Sequence, residues 1–226
     1  MNSQPLQPIR LNKFLAERLG VSRREADELI AAGKITIDGR PAILGARIDK
    51  SNKVCYNKKI VPFSTEFLYL AFHKPVGYVC SRRAQGAAPT LYELLPPKYR
   101  KLKTVGRLDK DSSGLILLTN DGDFAYQMTH PKFRKTKIYE VELDKPLQPL
   151  HQQMISDYGV MLDDGPSKFT VIRDDKQYIV TLAEGRNRQI RRTFAALGYK
   201  VTRLHRIKFG KYELGNLALG SWESIE

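Results

Sequence analysis

The sequence predicts an α+β protein in two parts: a small helix-helix-hairpin unit, then a larger domain whose mixed, mostly antiparallel sheet is flanked by helices. Three observations predict it. Two short helical periodicities run straight into an Asp38-Gly39 turn within the first sixty residues. Beyond Phe67 the apolar runs are short, strand-like and linked by brief polar loops, without the regular strand-helix alternation of a parallel sheet. The 226 residues, 42% of them hydrophobic, suffice for one large or two modest cores without cross-links.

Residues 1–8 are expected to be a flexible start. From Arg10 to Leu19, Leu11, Phe14, Leu15 and Leu19 recur at helical spacing and Gly20 closes the pattern. Ser22 opens a second helix as N-cap, with Glu25 three residues on to complete a capping box; Leu29 and Ile30 supply its buried face and Gly33 its stop. Lys34 to Ile37 alternates, Asp38-Gly39 turns, and Arg40 to Ile43 returns, with Pro41 tolerable only on an edge. Residues 50–66, lysine-rich and holding Pro62, read as a linker or an extra edge strand, so one domain is placed at residues 9–60 and a second at 61–226.

In the second domain, strands are expected at Phe67–His73, Tyr78–Ser81, Leu115–Thr119, Ile138–Leu143 and Tyr178–Ala183. Helices are expected at Phe124–Thr129, Leu147–Tyr158 and Asn187–Leu197, the last stopped by Gly198. The turn Asp163-Asp164-Gly165-Pro166 is taken as a loop inside this domain.

The stretch Gly106-Arg107-Leu108-Asp109-Lys110-Asp111-Ser112-Ser113-Gly114, followed by the apolar run to Asn120-Asp121-Gly122, sets Asp109 in a turn between two apolar segments. Loops held by rigid strands are where reactive groups concentrate. On residues alone, an acid there is equally an Asx-turn former. The stretch resembles the catalytic motif of the pseudouridine synthases, in the branch named for the small-subunit enzyme RsuA and its large-subunit relatives. The resemblance implies that Asp109 is the nucleophile, that Tyr139 in Lys137-Ile138-Tyr139-Glu140-Val141 stacks the uracil and takes part in deprotonating C5, and that Arg191 in Glu184-Gly185-Arg186-Asn187-Arg188-Gln189-Ile190-Arg191-Arg192 pairs with Asp109. It also suggests that Arg107 fills the space left by the flipped base and that Ile190 contacts that base. Without the resemblance, Tyr139 is one of 11 tyrosines that could fill a sheet face. Residues 9–55 resemble the alpha-L RNA-binding domain shared by a ribosomal small-subunit protein and many RNA modifiers.

Charge agrees with an RNA partner. Lys and Arg number 38 against 24 Asp and Glu, a net +14, a footprint expected of nucleic-acid binders. Arg10, Lys13, Arg23, Arg24 and Lys34 lie on or beside the first two helices, where with the Ser22 helix start they are candidate phosphate contacts, or else a solvated basic face. Arg186 to Lys211 holds nine cations and no acid, interleaved with Phe194, Tyr199 and Phe209. That mix reads as an RNA track including Arg186 and Arg188, with a solvated face as the alternative.

Other chemistries find little support. His73, His130, His151 and His205 are scattered, and Cys55 and Cys80 have no metal-ligand spacing and read as small core residues in a reducing compartment. Neither nucleotide-cradling glycine loop is present. No apolar run approaches the roughly 18 residues that span a bilayer. The expectation is therefore a cytoplasmic, monomeric enzyme that isomerises a uridine of structured ribosomal RNA without a cofactor or metal. The turn at Leu162–Pro166 and the segment Glu184–Arg192 point to the large subunit. The alternatives are the same reaction on small-subunit rRNA, or a non-catalytic rRNA-binding or assembly factor, which would need none of Asp109, Tyr139 and Arg191.

Overall fold

The computed structural model describes residues 8–64, 66–82 and 86–225; the expected flexible start lies almost wholly outside them. The chain divides into two compact units, Met1–Phe67 with Asn120–Gly122, and Leu68–Thr119 with Asp123–Glu226.

In the first unit, β1 (Ile9–Arg10) leads into α1 (Leu11–Arg18), and α2 spans Arg23–Ala31. The capping box forms as the sequence requires: Ser22 Oγ accepts from the Glu25 amide at 3.1 Å, and the Glu25 carboxylate accepts from the Ser22 amide at 2.6 Å. The anion site expected at this helix start is thus partly filled by the chain's own Glu25. β2 (Ile35–Ile37) turns into β3 (Arg40–Pro41) through Asp38 and Gly39, both at positive φ, the geometry of a type I′ hairpin. β4 (Arg47–Ile48) pairs with β1. β5 (Val54–Tyr56) and β6 (Lys59–Ile60) complete a sheet ordered β3-β2-β5-β6, which leaves Pro41 on an edge. Residues 54–60 are therefore no linker: β6 is the extra edge strand, whereas β5 is interior, and Val54 joins the core of Leu11, Phe14, Leu15, Ile30 and Ile35. Val61 and Phe63 join this core.

The second unit is built on a sheet ordered β13-β14-β10-β15-β9-β7-β17. Its members in chain order are β7 (Tyr69–Lys74), β8 (Lys103–Val105), β9 (Ser113–Thr119), β10 (Lys137–Leu143), β11 (Val160–Leu162) with β12 (Gly165–Ser167) as a separate hairpin, β13 (Thr170–Asp174), β14 (Gln177–Leu182), β15 (Val201–Phe209), β16 (Tyr212–Glu213) and β17 (Trp222–Ser224). The one parallel contact on that path is β9 with β15, so the sheet is mixed and mostly antiparallel. Helices α3 (Gly122–Thr129), α4 (Pro149–Gln153, prolonged by a widened turn over Met154–Tyr158) and α5 (Gln189–Ala196) flank it.

β9 explains its own sequence. Ile116 and Leu118 enter one core with Phe72, Tyr139 and Phe194, while Leu115 and Leu117 enter another with Val105, Met128 and Phe209. A strand buried on both faces reads as an unbroken apolar run. Three expectations need correction. Tyr78–Ser81 forms only a single bridge, Val79 to Thr90, with no ladder. β15 was hidden because its Arg203, His205, Arg206 and Lys208 look like surface residues, yet it lies between β10 and β9. The aromatics of the proposed RNA track, Phe194, Tyr199 and Phe209, are buried core and cannot stack on bases.

Gly114 is where the parallel pair closes up. It sits at φ +108°, and a Cβ there would meet the Arg206 carbonyl oxygen at 2.2 Å and its nitrogen at 2.5 Å. Both are backbone atoms that cannot step aside, so only glycine fits. We expect Gly114→Ala to destabilise the protein by about 2–4 kcal/mol, read from the denaturant midpoint; an unchanged midpoint would mean that β9 and β15 do not approach so closely in solution.

Candidate active site

β8 ends at Val105 and β9 begins at Ser113; the loop between them carries Asp109 and is fixed from beneath. Lys74, at the end of β7 and fully buried, donates from Nζ to the carbonyls of Asp109 at 3.1 Å, Ser112 at 2.7 Å and Pro75 at 3.0 Å. The Gly77 amide donates to the Lys110 carbonyl at 2.7 Å, the Ser112 amide to the Asp109 carbonyl at 3.1 Å, and the Leu108 amide to Cys80 Sγ at 3.4 Å. Burial lowers the Lys74 pKa and raises that of the Cys80 thiol. Three carbonyl dipoles around an ammonium suit a turn that must keep one shape. The Asp109 side chain meanwhile projects with about a third of its surface exposed.

It projects into a cleft of about 440 Å³, within the roughly 300–1,000 Å³ range of ligand sites. Tyr139, on β10 and 8% exposed, shares that cleft, as do Arg107, Arg186, Arg188 and Ile190. Arg107 is exposed, whereas Ile190 presents a buried apolar surface. Lys137 and Arg206 line it too.

The expected pairing of Asp109 with Arg191 is replaced by a different arrangement. The Asp109 carboxylate lies 3.5 Å from Arg188 Nη1. Arg188 itself is held by a two-pronged bond to Asp111, 3.0 and 2.9 Å, from a left-handed backbone conformation at the start of α5. Arg191 donates to the carbonyls of Val201 at 2.8 Å and Asp111 at 2.7 Å, with its Nε 3.3 Å from the Asp111 carboxylate, and does not line the cleft. The reason is register along the helix: Arg188 and Arg191 are one turn apart and share one face, and Asp111 reaches both. Hydrogen bonds from Arg188 lower the Asp111 pKa, against desolvation.

Four of the remaining cations of Arg186–Lys211 also find acids, contributed by other segments. Arg186 and Arg192 clasp the β11–β12 hairpin through Asp164, and Arg192 also takes Asp163; Arg203 meets Glu140 and Glu142, and Lys208 meets Glu213. A run with no acid in sequence is therefore largely neutralised in space, which removes the argument that repulsion among its cations demands an RNA. In the first unit, Arg10, Ser22, Arg23, Arg24 and Lys34 are exposed and Lys13 half-buried.

Residues 68–196 match the RNA pseudouridylate synthase family, and residues 9–54 match the S4 domain. The chain belongs to the RNA pseudouridylate synthase family. It is 38% identical to the ribosomal small subunit pseudouridine synthase A of Pasteurella multocida, over 96% of each chain. It is 34% identical to the ribosomal large subunit pseudouridine synthase B of Escherichia coli K12, over 96% of this chain and 79% of that one. A crystal structure described as a pseudouridylate synthase superposes with a TM-score of 0.69 at 32% identity, covering 96% of each chain.

Within this family frame, sequence reasoning missed Lys74, Cys80, Asp111, Lys137 and Arg206. Lys74 was cut off by ending a strand at His73, although Lys-Pro closing an apolar strand is a usable signal. The scattered His73 and His205 are in fact neighbours, ring centroids 5.2 Å apart, and Ser113 Oγ lies 2.8 Å from His205 Nδ1. No sequence spacing could bring them together.

Arg191, 12% exposed and holding the carbonyls of Asp111 in the loop and Val201 on β15, differs from Arg192, whose acid partners are exposed. Arg191→Ala should cost about 2–4 kcal/mol, since two hydrogen bonds from a charged donor are lost, one of them to the carbonyl of buried Val201; Arg192→Ala should cost under about 1 kcal/mol. Denaturant melts of the two variants check this, and equal losses would refute the distinction.

Proposed function

We propose that this pseudouridine synthase acts on ribosomal RNA, with Asp109 as its nucleophile and Tyr139 as the ring on which the uracil stacks. The observation that carries the reading is the shared cleft: a carboxylate about a third exposed, on a clamped loop, lines one cleft with the Tyr139 ring, inside the segment that matches the family. The net reaction exchanges the C1′–N1 bond for C1′–C5 and moves the C5 proton to N1, so atoms and electrons balance within the substrate.

The geometry supports a sequence of steps. A paired uridine must leave its stack to enter the cleft, at a cost of a few kcal/mol, and exposed Arg107 beside Asp109 is placed to fill the vacated space. Asp109, its backbone pinned through Lys74, attacks C1′. Tyr139 and Ile190 hold the base while it turns, and Tyr139 assists loss of the C5 proton. Arg188, shared between Asp109 and Asp111, takes the pairing role expected of Arg191; Arg191 supports the loop.

Arg10, Lys13, Ser22, Arg23, Arg24 and Lys34 of the S4 unit are read as contacts to RNA phosphates, with Arg186 and Arg188 near the cleft. One chain carries both the RNA-binding unit and the cleft, so a monomer suffices. Free Cys55 and Cys80 suit the reducing cytoplasm, and among the described residues no helix is long and apolar enough to cross a membrane. The large-subunit target rests on the turn at 162–166, here the tip of the β11–β12 hairpin clasped by Arg186 and Arg192. The relatives include synthases named for either subunit, so both rRNAs are to be read.

The test maps pseudouridines in both rRNAs from cells with the gene, without it, and with Asp109→Asn. We expect one large-subunit position to vanish without the gene and to stay unmodified with Asp109→Asn, whose rate in vitro should fall by roughly 10⁴-fold or more while RNA affinity holds. A lost small-subunit position would overturn the target, and near wild-type turnover by Asp109→Asn would overturn the nucleophile.

A further inference from the structure

Lys137 and Arg206, which line the cleft, have no carboxylate partner among the described residues, unlike the arginines of residues 186–192. Arg186, Arg188, Arg191 and Arg192 all pair with acids. Lys137 donates only to the carbonyls of Lys135 and Glu184, at 3.2 and 3.4 Å. Arg206 is 2% exposed, donates from Nε to the Leu115 carbonyl at 2.8 Å, and keeps a buried Nη2 without a partner. Both rest on one ring: Lys137 Nζ is 5.2 Å and Arg206 Cζ 4.9 Å from the centre of Phe209. Arg206 Cζ also lies 6.0 Å from the centre of the Tyr139 ring. The charged groups facing Lys137 are Arg206 on β15 and Glu184 beyond β14. Glu184 spends its carboxylate on Arg186, at 3.7 Å, and on Gln189.

Burying two like charges side by side without an acid is destabilising, and such placements persist where a charge is needed. Burial, then Arg206, brings the Lys137 pKa down to about 8, the mark of an ammonium waiting for an anion. The reaction makes one. Heterolysis of C1′–N1 leaves the electron pair on the base, spread over N1, O2 and O4, while C1′ bonds to an Asp109 oxygen. When C5 attacks C1′ the Asp109 oxygen leaves with its electrons and the base anion is consumed.

We propose that Lys137 and Arg206 stabilise the negative charge of uracil while it is detached from its ribose. The inference rests on the reaction assigned above. The substrate uridine is neutral, so these donors act mainly in the transition state and on the detached base, where fixed charge in a half-buried site lowers the barrier most. The position beside Tyr139, where the base stacks, puts them at the departing ring. A contact to a backbone phosphate would need the same cations, but that charge is already present when RNA binds.

This difference decides the test, made on full-length protein and an rRNA fragment that the wild type modifies. Single-turnover rate at saturating enzyme is measured beside a salt titration of binding. Lys137→Gln should slow the step by roughly 10²-fold or more, with affinity within about twofold and the salt slope unchanged. Lys137→Arg should restore at least a tenth of the wild-type rate. Only the charged amine acts, so the wild-type second-order rate constant should fall as pH rises through about 8, and that of Lys137→Arg should not. Weaker binding and a salt slope flatter by about one unit, with full rate at saturation, would identify a phosphate contact and overturn the proposal. Equal losses in Lys137→Gln and Lys137→Arg with one common pH profile would make Lys137 structural and overturn it too. If the wild type formed no pseudouridine on either rRNA, the functional reading itself would fall, and the proposal with it.

Discussion

The ammonium of Lys74 holds the active loop in place. It sits in the core at the end of β7 and gathers the carbonyls of Pro75, Asp109 and Ser112. An isolated buried charge is costly, and the compensation is the loop itself, whose carbonyl dipoles converge on the ammonium. Asp109 can then leave its carboxylate for chemistry, because its main chain is already fixed. Gly114 serves the same end from the other side, letting β15 lie against the start of β9 and bringing Arg206 behind the cleft.

Around that clamp, charge is sorted by function. Asp111 takes the grip of Arg188 and Arg191, which leaves Asp109 with a cation at 3.5 Å rather than a two-pronged bond. A carboxylate bound at both oxygens would be a poor nucleophile. The β11–β12 hairpin is held by Arg186 and Arg192, so it is tied to α5, the helix that carries Ile190, and to the segment that precedes it. Lys137 and Arg206 are left with carbonyls and aromatic faces alone.

What the sequence revealed follows the reach of each signal. The capping box at Ser22 and Glu25, the Asp38-Gly39 hairpin and the apolar run of β9 are local, and they formed where expected. The Asp109 motif was legible because its glycines, arginine and acid are contiguous, and Tyr139 because its context is short. The ion pairs and the lysine clamp were not legible: Arg188 with Asp111 spans 77 residues and Lys74 with the Ser112 carbonyl spans 38, and nothing in a linear pattern says which acid an arginine will meet. Composition misled in one place. The acid-free run from Arg186 to Lys211 is a helix buried on one face and a central strand, most of whose charges are answered from elsewhere, so local charge density was a poor guide to exposure.

Lys74→Met removes the ammonium of the clamp while keeping the volume of the side chain close to native. Single-turnover kinetics at saturating enzyme, beside amide exchange of residues 107–112, measures what is lost. A loop released by even about 1 Å should reduce the rate by roughly 10²-fold, with faster exchange in the loop, unchanged exchange in β9 and β10, and RNA affinity intact. Full turnover with the loop amides as protected as in the wild type would contradict the claim that Lys74 positions Asp109.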